Sequence, residues 1–475
     1  MNWQFILPEI IIAASAVIII IADLISRKPV VTTAIAMTGI TASLIIACIS
    51  DTFFESVFEG MLFIDGWSWI TRILLLGVSA AVVAASTAYS DKLKNHWAEY
   101  HALVLFALLG MMLMPAAGNL ISAFLAIELA TISFFILVGM LKTPESSEAS
   151  LKMMLTGGVA SAIMLYGMAF IFGSSGSTGL AEIALHSSPA FSSGLLLGIL
   201  LLLAGFMFEV GAVPFHMWLP DAYEGAPTPI TMYLSAGSKI AGIAVIARVF
   251  SMAFTTPAQL GHDWGIAVAV ISAITMTLGN VIALQQTNIK RLLAYSGIVH
   301  TGYMLIGIAA IGMGNQVSGD GKLFFYMAAF ALAEIAVFTA VIVITRYLNS
   351  DRIEDFSGLV HKSPVLFAAL STGLLSLMGL PLTAGFMAKL FIFTSAIDNG
   401  LLWLMIIAVI NTVISAYYYI RIIRLMWLGK PCSESKIKLP AAPGFISLIS
   451  GLGIILLGIA PYLLLKLVEN IISLP

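Results

Sequence analysis

Six ionisable residues stand inside otherwise apolar sequence: Glu128, Lys152, Glu209, Lys239, Glu334 and Lys389, with His216 and His300 close by in the chain. Carboxyl, amine and imidazole groups share one chemistry, the reversible uptake and release of a proton. Imidazole does this near neutral pH in its ordinary state. Burial raises the pKa of a glutamate and lowers that of a lysine, which brings both toward neutrality. A row of such groups bridged by water is what a lateral proton path requires. Within a membrane each is costly, roughly 2.5 kcal/mol or more near a helix centre, so each is a functional candidate by default. Glu209 is the oddest of them. In GFMFEVGAVPFHMWLPDAYEGAPTPI, residues 205–230, it sits near the end of an apolar run and five residues before Pro214.

Each residue also has a plainer role to weigh. Lys152 can snorkel to a nearby surface or pair with Glu148, four residues away. Lys239 and Glu128 can serve as structural partners, and Glu209 as a hydrogen-bonding group at a helix end. Lys389 can reach the outside, and Glu334 can bond to a neighbouring helix. His216 suits a packed loop, and His300 divides between packing and proton exchange. Glu9 and Asp23 lie near the ends of apolar runs and are expected to face headgroups.

The elements that must hold these groups are membrane helices. Of 475 residues, 60% are hydrophobic and 10% charged, and the mean hydropathy is +1.04. A soluble domain is about one quarter charged. Runs of about 18 apolar residues or more span roughly 30 Å of hydrocarbon, and their continuity without alternation argues against a barrel. The net charge of −2 gives no reason to expect nucleic acid. Cys48 and Cys432 lack a paired motif, so neither a disulfide framework nor a metal site is expected. No glycine-rich phosphate loop or haem motif occurs, no cofactor is expected in this chain, and nothing suggests a sugar or drug pocket. The first apolar run has no basic region before it and ends at Asp23, Arg27 and Lys28, as a retained span would.

About fourteen spans are expected, near 4–26, 29–50, 67–90, 99–116, 119–141, 150–172, 191–213, 227–252, 264–286, 292–313, 323–346, 363–391, 401–424 and 441–468. If the first ends inside, fifteen of the 22 basic residues fall inside. Only Arg72, Arg248, Lys322 and Lys466 fall outside, and Lys152, Lys239 and Lys389 lie within spans. This bias places both termini outside.

Pro214 ends the seventh span and Pro381 lies deep in the twelfth. Proline frees a helix carbonyl, and such backbone survives at membrane depth only within protein or along a water-filled cavity. Pro214 comes 115 residues after the start of the fourth span and Pro381 comes 117 after the start of the ninth. Two five-helix repeats follow, at 99–252 (helices 4–8) and 264–428 (helices 9–13). A three-helix segment, 1–98, precedes them and a C-terminal helix, 441–475, follows. An odd number of spans makes the repeats inverted. Helices broken at matching places in inverted repeats point to an ion or substrate site.

The motifs AFLAIELATISFFILVG (123–139), SSEASLKMMLTGGVASAIMLYGMA (146–169), VPFHMWLPDAYEGAPTP (213–229), SAGSKIAGIAVIARVF (235–250), QTNIKRLLAYSGIVHTGYM (286–304) and GLPLTAGFMAKLFIF (379–393) resemble subunit N (chain 2) of respiratory complex I, an antiporter-like membrane subunit. The similarity covers nearly the whole chain. The resemblance implies an all-α membrane subunit carrying protons in a complex driven by a quinone-reducing arm, beside other membrane subunits in the lipid bilayer of the plasma membrane. It implies that Glu128 is the proton-path glutamate, Lys152 and Lys239 the bridging lysines and Lys389 the exit-side lysine. One position departs. The family usually carries a lysine a few residues before the seventh-span proline, where this chain has Glu209, so the usual carboxylate–lysine pair with Glu128 is replaced by two acids. Glu334 adds another acid where a small or polar residue is expected. The alternatives are a subunit of a multi-subunit sodium–proton antiporter, which shares the repeat fold, and a structural subunit that moves no protons. The electron donor and an acceptor, quinone or phenazine, would belong to other subunits.

Overall fold

A computed structural model describes residues 3–49, 55–93, 96–186, 193–314, 316–430 and 436–472. The chain opens with α1 (Leu7–Ile25), α2 (Pro29–Ile49), a hairpin of β1 (Glu55–Val57) and β2 (Leu62–Ile64), and α3 (Gly66–Ser86). Then come α4 (Trp97–Leu113), α5 (Leu120–Val138), α6 (Pro144–Ser175), α7 (Ser193–Glu209), α8 (Trp218–Gly225) and α9 (Thr228–Ala253). The rest comprises α10 (Ala258–Ala283), α11 (Ile289–Gly312), α12 (Gln316–Leu348), α13 (Pro364–Met378), α14 (Ala384–Asp398), α15 (Leu402–Leu428), α16 (Ala441–Ile459) and α17 (Pro461–Ile472). The strands pair antiparallel with Glu55 opposite Ile64, a small β element in a chain expected to be all helical.

Local chemistry starts these helices. Asp65 and Ser68 form a reciprocal capping box on α3, and Asn119 and Ser122 do the same on α5. Thr143 caps α6, with Pro144 at its first position. Because α6 begins at Pro144 rather than near 150, Lys152 lies in its third turn and not its first.

Twelve helices among the described residues are long and apolar enough to cross a membrane. The seventh and twelfth expected spans are instead built of shorter pieces. The seventh does not stop at Pro214: α7 ends at Glu209, Pro214 lies in the turn that follows, and α8 is a second helical piece. The twelfth divides into α13 and α14 around Gly379–Thr383. The last expected span divides at Pro461 into α16 and α17, since proline cannot continue the hydrogen-bond ladder.

Burial separates an inner layer from an outer one. The apolar windows of α9, α11 and α12 are 100%, 94% and 94% buried, whereas those of α2 and α16 are 33% and 28%. A helix apolar all round belongs inside. These three inner helices carry Lys239, His300 and Glu334. Glu9 does not face headgroups as expected: it forms an ion pair with Arg72 at 2.8 Å, the two side chains 6% and 1% exposed. Apolar run length locates helices but does not reveal which face packs inward, and α1 and α3 turn these two charges toward each other.

Candidate functional site

Both breaks are made by the same backbone device. Gly211, at φ +68°, follows the end of α7, and Gly379, at φ +87°, follows α13. A side chain would disfavour either conformation. After the first break, Ala212 N–H donates to Met207 C=O and Gly211 N–H to Phe208 C=O; after the second, Leu380 N–H donates to Leu375 C=O and Gly379 N–H to Ser376 C=O. These are matching Schellman motifs. Side chains from beyond the broken helices' own turns also donate to carbonyls at the breaks, Phe208 C=O accepting a second hydrogen bond. Thr301 donates to Val210 C=O at 3.0 Å, Trp218 to Phe208 C=O at 3.2 Å, and Lys389 to Met378 C=O at 3.0 Å.

Glu209 is the last residue of α7 and is 6% exposed. Thr131 of α5 donates to one of its oxygens at 3.2 Å, and Ser238 of α9 approaches the other at 3.5 Å. Glu128, one turn before Thr131, lies close enough for its charge to act on Glu209 and accepts a hydrogen bond from Ser161 of α6. The first break therefore gathers two acids and three hydroxyls.

Lys239 is 1% exposed and directly follows a π-helical turn, Leu234–Ser238, within α9. Such turns often accompany functional sites. Its amine approaches Thr301 of α11 at 3.4 Å, and Thr301 leads to the Val210 carbonyl. Glu334 of α12 interacts electrostatically with Lys239. On the far side, His300 is hydrogen-bonded to Tyr326 at 2.8 Å and lies within the electrostatic reach of both Lys239 and Lys389. A cavity of about 10 Å³, near what one water requires, is lined by His300, Tyr326, Ser376 and Gly385 among others. Lys389 is 4% exposed and lies 4.8 Å from the centre of the Tyr303 ring.

Residues 117–415 match the family described as NADH:quinone oxidoreductase/Mrp antiporter, transmembrane. NADH-quinone oxidoreductase subunit N of Dehalococcoides mccartyi is 44% identical over 476 residues, 98% of each chain. The chain belongs to the subunit N family. A chain of respiratory complex I from Thermus thermophilus with bound aureothin is 28% identical, with a TM-score of 0.82 over 97% of this chain and 98% of that one. A chain of the Mrp complex from Dietzia sp. DQ12-45-1b has a TM-score of 0.87 at 19% identity, over 100% and 98% of the two chains. The Mrp likeness is one of fold alone.

Within this subunit N chain, two of the expected residues stand apart from the inner row. Lys152 is 47% exposed and pairs with Glu148 and with Asp221 of α8, each at 2.8 Å. Asp221 also binds Arg291 of α11 at 2.7 Å, and Arg291 binds Glu224 at 2.8 Å. Lys152 thus ties α6 to the second half of the broken helix and, through Asp221, to α11. His216 sits half-buried in the turn between α7 and α8, close to the Pro214 backbone, its buried Nδ1 making no hydrogen bond of ordinary geometry among the described residues.

The hydroxyls Thr131, Ser161, Ser238 and Thr301 are not singled out by the sequence. Hydroxyl residues are common in membrane helices, where they bond their own preceding turn. The closeness of Ser238 to Lys239 in the chain is the one available signal.

Proposed function

We propose that this subunit carries protons within a complex I-like quinone (or phenazine) oxidoreductase, along a row formed by Glu128, Glu209, Lys239, Glu334, His300 and Lys389, with Lys152 and His216 at its margin. The chain is an integral membrane subunit of a proton-translocating oxidoreductase, and the electron chemistry belongs to its partner subunits. The observation that carries this reading is the burial of five titratable side chains on or beside the inner helices: Glu209, Lys239, His300, Glu334 and Lys389 are all 6% exposed or less. Such groups are expensive in a membrane interior and are kept there for transport chemistry. They extend from one broken helix to the other, where freed carbonyls and hydroxyls can hold water.

The accompanying topology is fourteen crossings, with inverted repeats at 99–252 and 264–428, in the bacterial plasma membrane with both termini outside. The basic residues support that orientation. Lys239→Ala tests the path in the assembled enzyme. In inverted membrane vesicles, the rate of proton uptake per electron transferred falls far more than the amount of assembled complex on a native gel. Unchanged pumping by a fully assembled variant removes Lys239 from the path.

A further inference from the structure

Beside Lys239 lies a group of buried oxygens that hydrogen bonds among the described residues do not fully satisfy. Tyr223 of α8, Ser235 of the π-helical turn and Glu334 of α12 are each 0% exposed. No hydrogen bond of ordinary geometry satisfies the Tyr223 hydroxyl, the Ser235 hydroxyl or either Glu334 oxygen among the described residues, although Ser235 stands close to both of the others. The Tyr223 ring packs 6.3 Å from that of Phe338, one turn after Glu334 on the same helix. A Cβ on Gly297 would meet Lys239 Nζ at 2.6 Å and Ser235 Oγ at 3.8 Å, so the amine and this hydroxyl border the same bare stretch of α11. Three helices and the π-turn therefore bring one amine, one carboxyl and two hydroxyls to one place.

Four buried oxygens that have no hydrogen bond of ordinary geometry among the described residues, with one serine hydrogen to serve two neighbours, cannot all be left dry. Each lost hydrogen bond costs about 1–3 kcal/mol, and buried polar groups of this kind are satisfied by ordered water. Charge balance singles out the same group. The Glu128–Glu209 cluster offers two acids, whereas Lys239 and Glu334 offer one base and one acid.

We infer that Glu334 is the proton-exchange partner of Lys239, through bridging water bordered by Tyr223 and Ser235. In the forward step an N–H bond of the Lys239 ammonium breaks, its proton passes to a bridging water, and that water gives another proton to a Glu334 oxygen. The amine and the carboxylic acid are then both neutral, and the reverse step restores the ion pair. Net charge in the apolar interior is the same before and after, which avoids the cost of an isolated buried charge. The carboxylate–lysine pair that the resemblance places at the first broken helix would here operate one helix further along.

This inference rests on the proton-path reading, and its test separates the two. Glu334→Gln, Glu334→Asp, Tyr223→Phe and Lys239→Ala are made in the whole complex. Assembly is followed on native gels, and proton uptake per electron is measured in inverted vesicles. Glu334→Gln should assemble and pump about tenfold more slowly or worse. Glu334→Asp should recover part of the loss, and Tyr223→Phe should have a smaller effect. Infrared difference spectra between the resting and reduced enzyme should contain a carboxylic-acid C=O band that shifts in heavy water and is absent from Glu334→Gln. If Glu334→Gln does not assemble, the band decides: it should move in frequency in both Glu334→Asp and Tyr223→Phe, and a band unchanged from the parent in both overturns the inference. Full pumping by Glu334→Gln beside a dead Lys239→Ala overturns this inference and leaves the path standing. Full pumping by both removes the path as well.

Discussion

Lys389 donates a hydrogen bond to the carbonyl of Met378 at 3.0 Å, across the break that separates α14 from α13. Met378 is the last residue of α13, so its carbonyl has no partner within the helix. The same amine lies over Tyr303 of α11, its centroid 4.8 Å away. Lys389 therefore holds the broken helix together and faces the inner row through Tyr303 and His300. The charged and neutral amines both donate to the carbonyl, but only the ammonium gains from the ring face. Proton loss at Lys389 thus weakens one contact and keeps the other.

Lys389→Met fills similar space and removes both contacts. The expected outcome is assembled complex with slowed electron transfer and a lower number of protons moved per electron, measured together in the same vesicles. Parental values for both would exclude Lys389 as a proton carrier. A fall in assembled complex alone would limit it to closing the break.

The two breaks were legible in the sequence because proline interrupts the hydrogen-bond ladder of a helix, and Pro214 and Pro381 stand at matching distances. Their form was not. A proline says that a ladder is interrupted, but the helix before it ended at Glu209, five residues earlier, because Gly211 can take a left-handed conformation there. The buried acids and lysines were legible as charges in apolar runs. Their partners were not, since pairing depends on which helix faces meet. Glu9 and Arg72 show this: both were read as lying toward the surfaces, and they form a buried ion pair. Lys152 shows the converse, being placed by its ion pairs with Glu148 and Asp221 rather than among the inner groups.

A pH-dependent element lies at the start of α3. Asp65 caps that helix by accepting from Ser68 N–H at 3.0 Å, and Arg248 of α9 binds it through two hydrogen bonds of 2.6 and 2.5 Å. Burial alone would raise the pKa of this carboxyl, but the charge and hydrogen bonds of Arg248, helped by Ser68, hold it below the ordinary value. Stability from a lowered carboxyl pKa is present above the unfolded value, about 3.9, and is lost as pH falls through the folded value. Asp65→Asn leaves Arg248 buried without its counter-ion, a loss on the order of 3 kcal/mol. The detergent-solubilised complex carrying it should unfold at a lower temperature than the parent at pH 7, and the gap should narrow below about pH 4. Equal unfolding temperatures at pH 7 would show that the pair adds no stability.

Glu209 offers the sharpest contrast between charge and position. A glutamate is neutral when loaded with a proton and negative when empty, whereas a lysine is positive and then neutral. With the acid in place of the lysine, local charge is one unit lower throughout a transfer cycle. The obvious compensating lysines do not bind it: Lys152 is held by Glu148 and Asp221, and Lys239 approaches Thr301. Glu209 instead receives Thr131 and Ser238, with Glu128 close by. The two acids are held by different hydroxyls, Glu128 by Ser161 of α6 and Glu209 by Thr131 and Ser238, so the site presents two separate carboxyls on which a proton can rest. Glu209→Gln keeps the shape and the acceptor for Thr131 but removes the exchangeable acid. The expected result is intact assembly with pumping and coupled turnover lowered by about tenfold or more, and a smaller loss in Thr131→Val, which removes a donor but no acid. Should pumping and turnover both survive Glu209→Gln in assembled complex, the carboxyl is a hydrogen-bonding group at the end of α7, and protons pass from Glu128 to Lys239 without it.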